Sequence, residues 1–348
     1  MQLGHYIAMD LHSTHTTLEA QTRRGEVVVR RDVDTGARNL IDAVKCIRGT
    51  RGLVIEECTM ADWAYRTLAP YVDELIICDP RRNRLIVEGD KDDSVDPSKL
   101  CELYRLGALR AVHHPARRNV LDLKRWVWLY LDQVELVVAA KNKIKADFRY
   151  SGIRYGQHDV YGQESRQEFL GKLPTRAARQ QLEQRYKNLD NLEEDCSKLR
   201  ARLGQIARRH RVVKTFLEVP GYGPIHALTF FVIVDTPWRF PRVQKLWAYA
   251  GLGIARHKSG QPKPDKPHSN GPEHLNHPCN YRLKSVAKAA ATVAITRSGP
   301  NPFLATYDRL VDQGIPPSNA RLTVARKVLQ VPWAMWKRGE AYQPAVAQ

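Results

Sequence analysis

The chain has 348 residues, 43% of them hydrophobic and 26% charged, which allows two domains or one domain with a long helical insertion around a true core. No stretch is apolar enough to span a bilayer, and Met1-Gln2-Leu3-Gly4-His5 lacks the basic and apolar regions of a signal peptide, so a cytoplasmic setting with no membrane partner is expected. The formal net charge of +18 is unevenly spread: residues 1–100 carry 14 Lys and Arg against 17 Asp and Glu, while the other 248 carry 41 against 20. A slightly acidic module therefore joins a strongly basic one, and the natural partner of the second is a polyanion such as nucleic acid.

The first hundred residues alternate strand and helix patterns. Residues 5–10 read as a strand, His15-Thr16-Thr17-Leu18-Glu19-Ala20 as a second, and a turn at Arg24-Gly25 leads into Val27-Val28-Val29 as a third. Residues 37–48 are amphipathic at helical spacing. Leu53–Glu56 is the next strand, 60–72 the next helix and Leu75–Cys78 a fifth strand. Three adjacent strands followed by helix-strand-helix-strand is the layout of an α/β, ribonuclease-H-like sheet, parts of which other α/β folds share. The six cysteines show no CxxC pair, and Cys46, Cys58, Cys78 and Cys101 fall in apolar or helical contexts, so reduced, buried thiols are expected.

From about 117 to 212 the chain reads as helix, broken near Ser151-Gly152 and Leu173-Pro174. Leu182, Tyr186 and Leu189 follow a four-three rhythm, which Leu192, Cys196, Leu199, Leu203 and Ile206 resume after a phase slip. That pattern resembles a short coiled coil with a stutter, fitting either dimerisation or a helical hairpin within the chain. The first helix carries Leu123, Trp126, Leu129 and Leu131, and its basic tail of Lys141, Lys143 and Lys145 fits a phosphate backbone or a solvated face.

Val219-Pro220-Gly221-Tyr222-Gly223-Pro224-Ile225 stands between two helical stretches. It reads either as a phosphate-holding hairpin between helices or as an ordinary tight connection. Residues 256–283 then form a polar stretch rich in Pro, Gly and Lys, framed by apolar helices at Val286–Ile295 and Leu322–Trp336. A basic, serine-bearing loop framed in this way is a candidate active-site element. Within it Ser259 follows Arg256, His257 and Lys258, cations that would ease the formation of an alkoxide and hold a phosphate; by composition alone it is an ordinary loop serine. His274, His277 and Cys279 have a spacing that matches no common zinc pattern and are read as loop polar groups or phosphate contacts.

Four acids carry the chemistry. Asp10 ends the apolar run Tyr6–Met9, Glu56 ends Leu53–Ile55, and Asp93 and Asp96 lie three apart where a loop turns into a helix. A carboxylate at the end of a buried strand is costly without a partner, and several converging ones point to a divalent metal acting on a phosphodiester. Glu57 competes with Glu56, Asp90 and Asp92 with Asp93, and Asp96 also suits a helix N-cap before Pro97.

Across nearly its full length the chain resembles the IS110-family, or DEDD, transposases. The resemblance rests on Ile7-Ala8-Met9-Asp10, Val54-Ile55-Glu56-Glu57-Cys58-Thr59 and Lys91-Asp92-Asp93-Ser94-Val95-Asp96. In the second half it rests on Val219–Pro224, on Phe240 with Leu246-Trp247-Ala248-Tyr249-Ala250-Gly251-Leu252, and on Ser259-Gly260. It departs at Asp96-Pro97, where Asp-Ala is usual, at Glu57, where a small residue is usual, and over 261–278, which is richer in Pro and His; Ser269 is therefore a reserve nucleophile. The resemblance implies a RuvC-like catalytic domain over 1–110, a helical, coiled-coil region over 111–212 and a mostly α transposase domain over 213–348. It further implies Asp10, Glu56, Asp93 and Asp96 as ligands of Mg2+, with Mn2+ able to substitute, and Ser259, lent by the other domain, as a nucleophile forming a covalent link to DNA. The implied protein is a bacterial, cytoplasmic, nucleoid-associated recombinase that excises and inserts an element. It would act as a homodimer or tetramer on double-stranded target and donor DNA, guided by a non-coding bridge RNA. The alternative is a RuvC-like metal-dependent nuclease or Holliday junction resolvase without serine chemistry.

Overall fold

The structure is a computed structural model that describes residues 2–79, 97–115, 118–156, 160–255, 274–275 and 279–344. It divides into two compact units, Met1–Ala116 and Arg117–Gln348, each with its own core.

Unit 1 is built on a five-stranded sheet. Its strands are β1 (His5–Leu11), β2 (His15–Thr22), β3 (Val27–Asp34), β4 (Arg51–Glu56) and β5 (Glu74–Cys78), in the spatial order β3-β2-β1-β4-β5. β2 runs antiparallel to β1 and β3, whereas β1, β4 and β5 are parallel. The β2–β3 turn falls at Arg24-Gly25 as expected, with Gly25 at φ +89°, a conformation that suits a residue without Cβ. β1 and β4 are apolar on both faces because both are covered. Ile7, Met9, Leu11, Leu53 and Ile55 pack under α1 (Ala37–Lys45) and α2 (Ala61–Leu68). On the other face Ala8 and Val54, with Tyr6 beside them, meet Leu100, Cys101 and Tyr104 of α3 (Pro97–Arg105). The Tyr104 ring stands edge-on to Tyr6 at 5.2 Å, its hydroxyl donates to Glu74 Oε2 at 3.0 Å, and a Cβ at Gly52 would collide with it. Glycine in β4 is thus what lets α3 lie close to the sheet.

The cysteine expectation needs correction. Cys78 and Cys101 are buried, and burial pushes the Cys101 thiol up to about 12, but Cys46 and Cys58 are exposed. Cys46 follows the last turn of α1 and Cys58 lies beyond the end of β4, so neither is held in the apolar face beside it.

Unit 2 begins with two long helices, α4 (Arg118–Tyr150) and α6 (Arg176–Arg209), joined through α5 (Gln163–Gly171). The Thr175 hydroxyl caps α6 by accepting from the Ala178 amide at 3.1 Å. α4 and α6 pack antiparallel on each other within the chain. Gln133 donates to the Leu192 carbonyl at 3.2 Å, Lys141 pairs with Glu193 at 2.6 Å, Arg185 pairs with Asp147, and the Arg202 guanidinium lies 3.7 Å from the Trp126 ring centre. The heptad-like residues of α6 therefore serve a hairpin. The phase slip marks a change of surroundings: Leu182, Tyr186 and Leu189 are buried in a core with α5, Leu192, Cys196 and Leu199 are half-buried and belong to neither core, and Leu203 and Ala207 enter the next core.

That core gathers α7 (Arg211–Phe216), α8 (Pro224–Val234), α9 (Val243–Tyr249), α10 (Tyr281–Thr296), α11 (Pro302–Asp312) and α12 (Pro317–Arg338). α8 is apolar all round (Ala227 to Val234 are buried) and so takes the central place. Asn280 and Asn301 cap α10 and α11 with their side-chain oxygens. Two side chains tie α9 and its following turn to α12: Trp247 Nε1 donates to the Arg326 carbonyl at 3.0 Å, and Arg326 Nε donates to the Leu252 carbonyl at 2.7 Å.

Candidate active site

Asp10 is the penultimate residue of β1 and Glu56 the last of β4. The parallel register pairs Met9 with Ile55, so the two acids are the next residues along neighbouring strands, whose backbones lie about 4.8 Å apart. Side chains alternate between faces, and both acids share the parity of Ala8 and Val54. They therefore stand at one edge of the sheet, on the face that α3 covers. The same alternation puts Glu56 and Glu57 on opposite faces. The Glu57 amide still pairs with the Cys78 carbonyl at 2.9 Å, so the strand continues and turns Glu57 to the opposite face; it is exposed, whereas Glu56 is half-buried.

Two histidines beside Asp10 escaped the sequence reading. His12 Nε2 lies 3.1 Å from Asp10 Oδ2, and its ring stacks on that of His15 with centres 5.0 Å apart. The turn that carries them is anchored from outside: the Thr35 hydroxyl donates to the His12 carbonyl at 2.8 Å and meets the Thr16 hydroxyl at 2.7 Å. The signal was a pair of histidines three apart just after an acidic strand end. A buried acid was also missed. Glu19, only 1% exposed, accepts from Gln21 Nε2 at 2.9 Å and faces Arg30 at 3.7 Å, so its charge is satisfied within the sheet.

Carboxylate oxygens on adjacent strand ends fit a hard divalent cation as part of a donor set. Among the described residues no group of three or more His, Cys, Asp or Glu could hold a metal ion. Asp93 and Asp96, the other two predicted acids, lie outside the described residues, and α3 begins at Pro97, the residue after Asp96. Asp90 and Asp92 also lie outside them. So do Ser259 and Ser269; the stretch 256–273 that holds them is bracketed by β6 (Ile254–Ala255) and β7 (His274–Leu275), which pair antiparallel.

The Gly-x-Gly connection is explained by packing. Gly221 has φ +90°, and a Cβ there would collide with the Ala290 carbonyl oxygen of α10. Tyr222 is buried edge-on against Phe230, with ring centres 6.1 Å apart. Burial pushes its phenol up. Gly223 then precedes Pro224 at the first turn of α8.

Residues 213–279 match the family model described as Transposase IS116/IS110/IS902 family. No curated protein matches the chain. The matched stretch runs from α7 to the residues just after β7 and takes in Val219–Pro224, Leu246–Leu252 and Ser259. Over these residues the chain is thus similar to transposases of the IS116/IS110/IS902 family.

Proposed function

We propose that the protein is a transposase that cuts and rejoins DNA strands to excise and insert a mobile element, with Asp10, Glu56, Asp93 and Asp96 as magnesium ligands and Ser259 as nucleophile. One observation carries the chemistry: Asp10 and Glu56 stand side by side near the ends of neighbouring parallel strands, on one face, in a chain whose residues 213–279 match a transposase family. The sheet order, with an antiparallel second strand between β3 and β1, is the order of a ribonuclease-H-like, RuvC-like domain and supports that assignment.

Bound magnesium, or manganese in its place, would neutralise phosphate charge and polarise the scissile phosphoryl group. The protein's part is to place the donors: the β1–β4 pairing fixes two carboxylates side by side, and His12 holds one oxygen of Asp10 by its hydrogen bond. The Ser259 oxygen forms a bond to phosphorus as the bond to the leaving strand's oxygen breaks, and that oxygen takes up a proton. Attack by the hydroxyl of a second strand then restores the serine, so the bond energy is kept for rejoining. The basic second half of the chain binds double-stranded target and donor DNA and a non-coding guide RNA, and a homodimer or tetramer forms the working unit.

Suicide DNA substrates test the reading. Wild-type protein with magnesium is expected to yield a covalent protein–DNA adduct, Ser269→Ala to yield it equally, and Ser259→Ala and Asp10→Ala to yield none. Full strand exchange by Ser259→Ala would remove the serine as nucleophile, and magnesium-dependent cutting with no adduct and no rejoining, by wild type and Ser259→Ala alike, would leave a metal-dependent nuclease or junction resolvase in its place. Normal recombination by Asp10→Ala would remove the acidic site altogether.

A further inference from the structure

Trp238 is a large, exposed side chain on unit 2 that the proposed chemistry leaves unused. It sits in the short 3-10 turn Pro237–Arg239 after α8 and is 68% exposed. The turn itself is firmly held. Trp333 Nε1 donates to the Pro237 carbonyl at 2.9 Å, and Arg239 donates to the Ile233 carbonyl at 2.8 Å while its guanidinium lies over Tyr249 at 4.5 Å. A rigid backbone therefore presents a large apolar ring to water, although the neighbouring Phe240 is buried and Trp333 half-buried.

The ring's surroundings are cationic. Lys337 of α12 places its ammonium 5.0 Å from the Trp238 ring centre and 4.7 Å from that of Trp333, and it donates to the Pro241 carbonyl at 3.4 Å. Arg242, the next residue, is exposed. An exposed ring with an ammonium over it, and an exposed arginine four residues further along the chain, matches a flat base joined to phosphates. A base inside a duplex has both faces covered by its neighbours, so the fit is to an unpaired one.

We propose that Trp238 is a stacking platform for an unpaired nucleobase, with Lys337 and Arg242 on the adjoining phosphates. This rests on the nucleic-acid reading above and adds to it a contact with single strands. RNA and DNA share the base and phosphate chemistry, so the test must carry both.

Fluorescence anisotropy of the full chain with a labelled 12-nucleotide RNA, the same sequence as single-stranded DNA, and the corresponding DNA duplex separates the possibilities. Trp238→Ala is expected to weaken single-strand binding by about 10-fold or more, in line with the loss of one stacked base, and to leave the salt dependence unchanged. Trp238→Tyr should restore most of the affinity, duplex binding should stay within about twofold, and Lys337→Gln should lower the salt slope by about one. The single strand that loses more, RNA or DNA, is the one the platform serves. Wild-type affinity of Trp238→Ala for both single strands would overturn the inference and leave the nucleic-acid reading standing. Equal loss on duplex and single strands would overturn it too. A wild-type chain that binds none of the three probes would overturn both.

Discussion

Asp10 and Glu56 come together because one strand register aligns them, and that register is finer than anything their sequence spacing of 46 residues conveys. The apolar runs before them were enough to put each at a strand end. They were not enough to choose between Glu56 and Glu57, since neighbours on a strand differ only in the face they take. The pairing of Met9 with Ile55 puts Glu56, and not Glu57, on the face that Asp10 takes. A direct consequence is that Glu56→Gln should weaken magnesium binding by about 10-fold or more, whereas Glu57→Gln should leave it within about twofold. Isothermal titration of the two variants checks this, and equal losses would mean that the strand end is not held as the register places it. His12 belongs to what the residues alone did not disclose: its hydrogen bond depends on a turn whose shape is set by Thr35, 23 positions away.

At the scale of elements, most boundaries were legible because they are local. Gly25 permits the β2–β3 turn, Ser151-Gly152 and the stretch around Leu173-Pro174 interrupt the long helical region, and Asn280 and Asn301 start helices with their own side chains. What was not legible is long-range. The rhythm of α6 reads the same whether its partner is another chain or α4, and the described contacts place it against α4. Gly221 shows the same limit, since a tight turn and a close approach to another helix both call for glycine. The second demand comes from Ala290 of α10, 69 positions on. Gly221→Ala must therefore bear both a left-handed backbone and a collision with a carbonyl oxygen that is itself part of a helix. It should destabilise unit 2 by at least about 2 kcal/mol, read as a fall in the urea midpoint at unchanged slope. Gly223→Ala is the control. Its Cβ would meet nothing within 4 Å and its φ is −97°, so a small change is expected there. A Gly221→Ala chain as stable as wild type would show that α10 can move away from the turn at little cost.

At the scale of the whole molecule the governing feature is the charge split. Lys and Arg outnumber Asp and Glu by 41 to 20 after residue 100, while the first hundred residues carry a slight acidic excess, 17 to 14. The part of the chain that bears Asp10 and Glu56 is thus not the part whose charge attracts a polyanion, and catalysis and affinity should respond to different changes. Phosphate contacts release counterions, so binding that uses six to ten of them loses about 10³ to 10⁵ in affinity between 50 and 200 mM salt. Titration of wild-type protein against a DNA duplex over that range should give a steep line when the logarithm of affinity is plotted against that of salt concentration. Asp10→Ala should lie on the same line, because removing one carboxylate from a slightly acidic module takes away no phosphate contact. Charge reversal by several Lys→Glu changes in the second half should flatten it. A shallow wild-type line would mean that the basic excess is surface charge without a nucleic-acid footprint. An Asp10→Ala line displaced downward at equal slope would mean instead that the acidic site contributes to holding the duplex before any strand is cut.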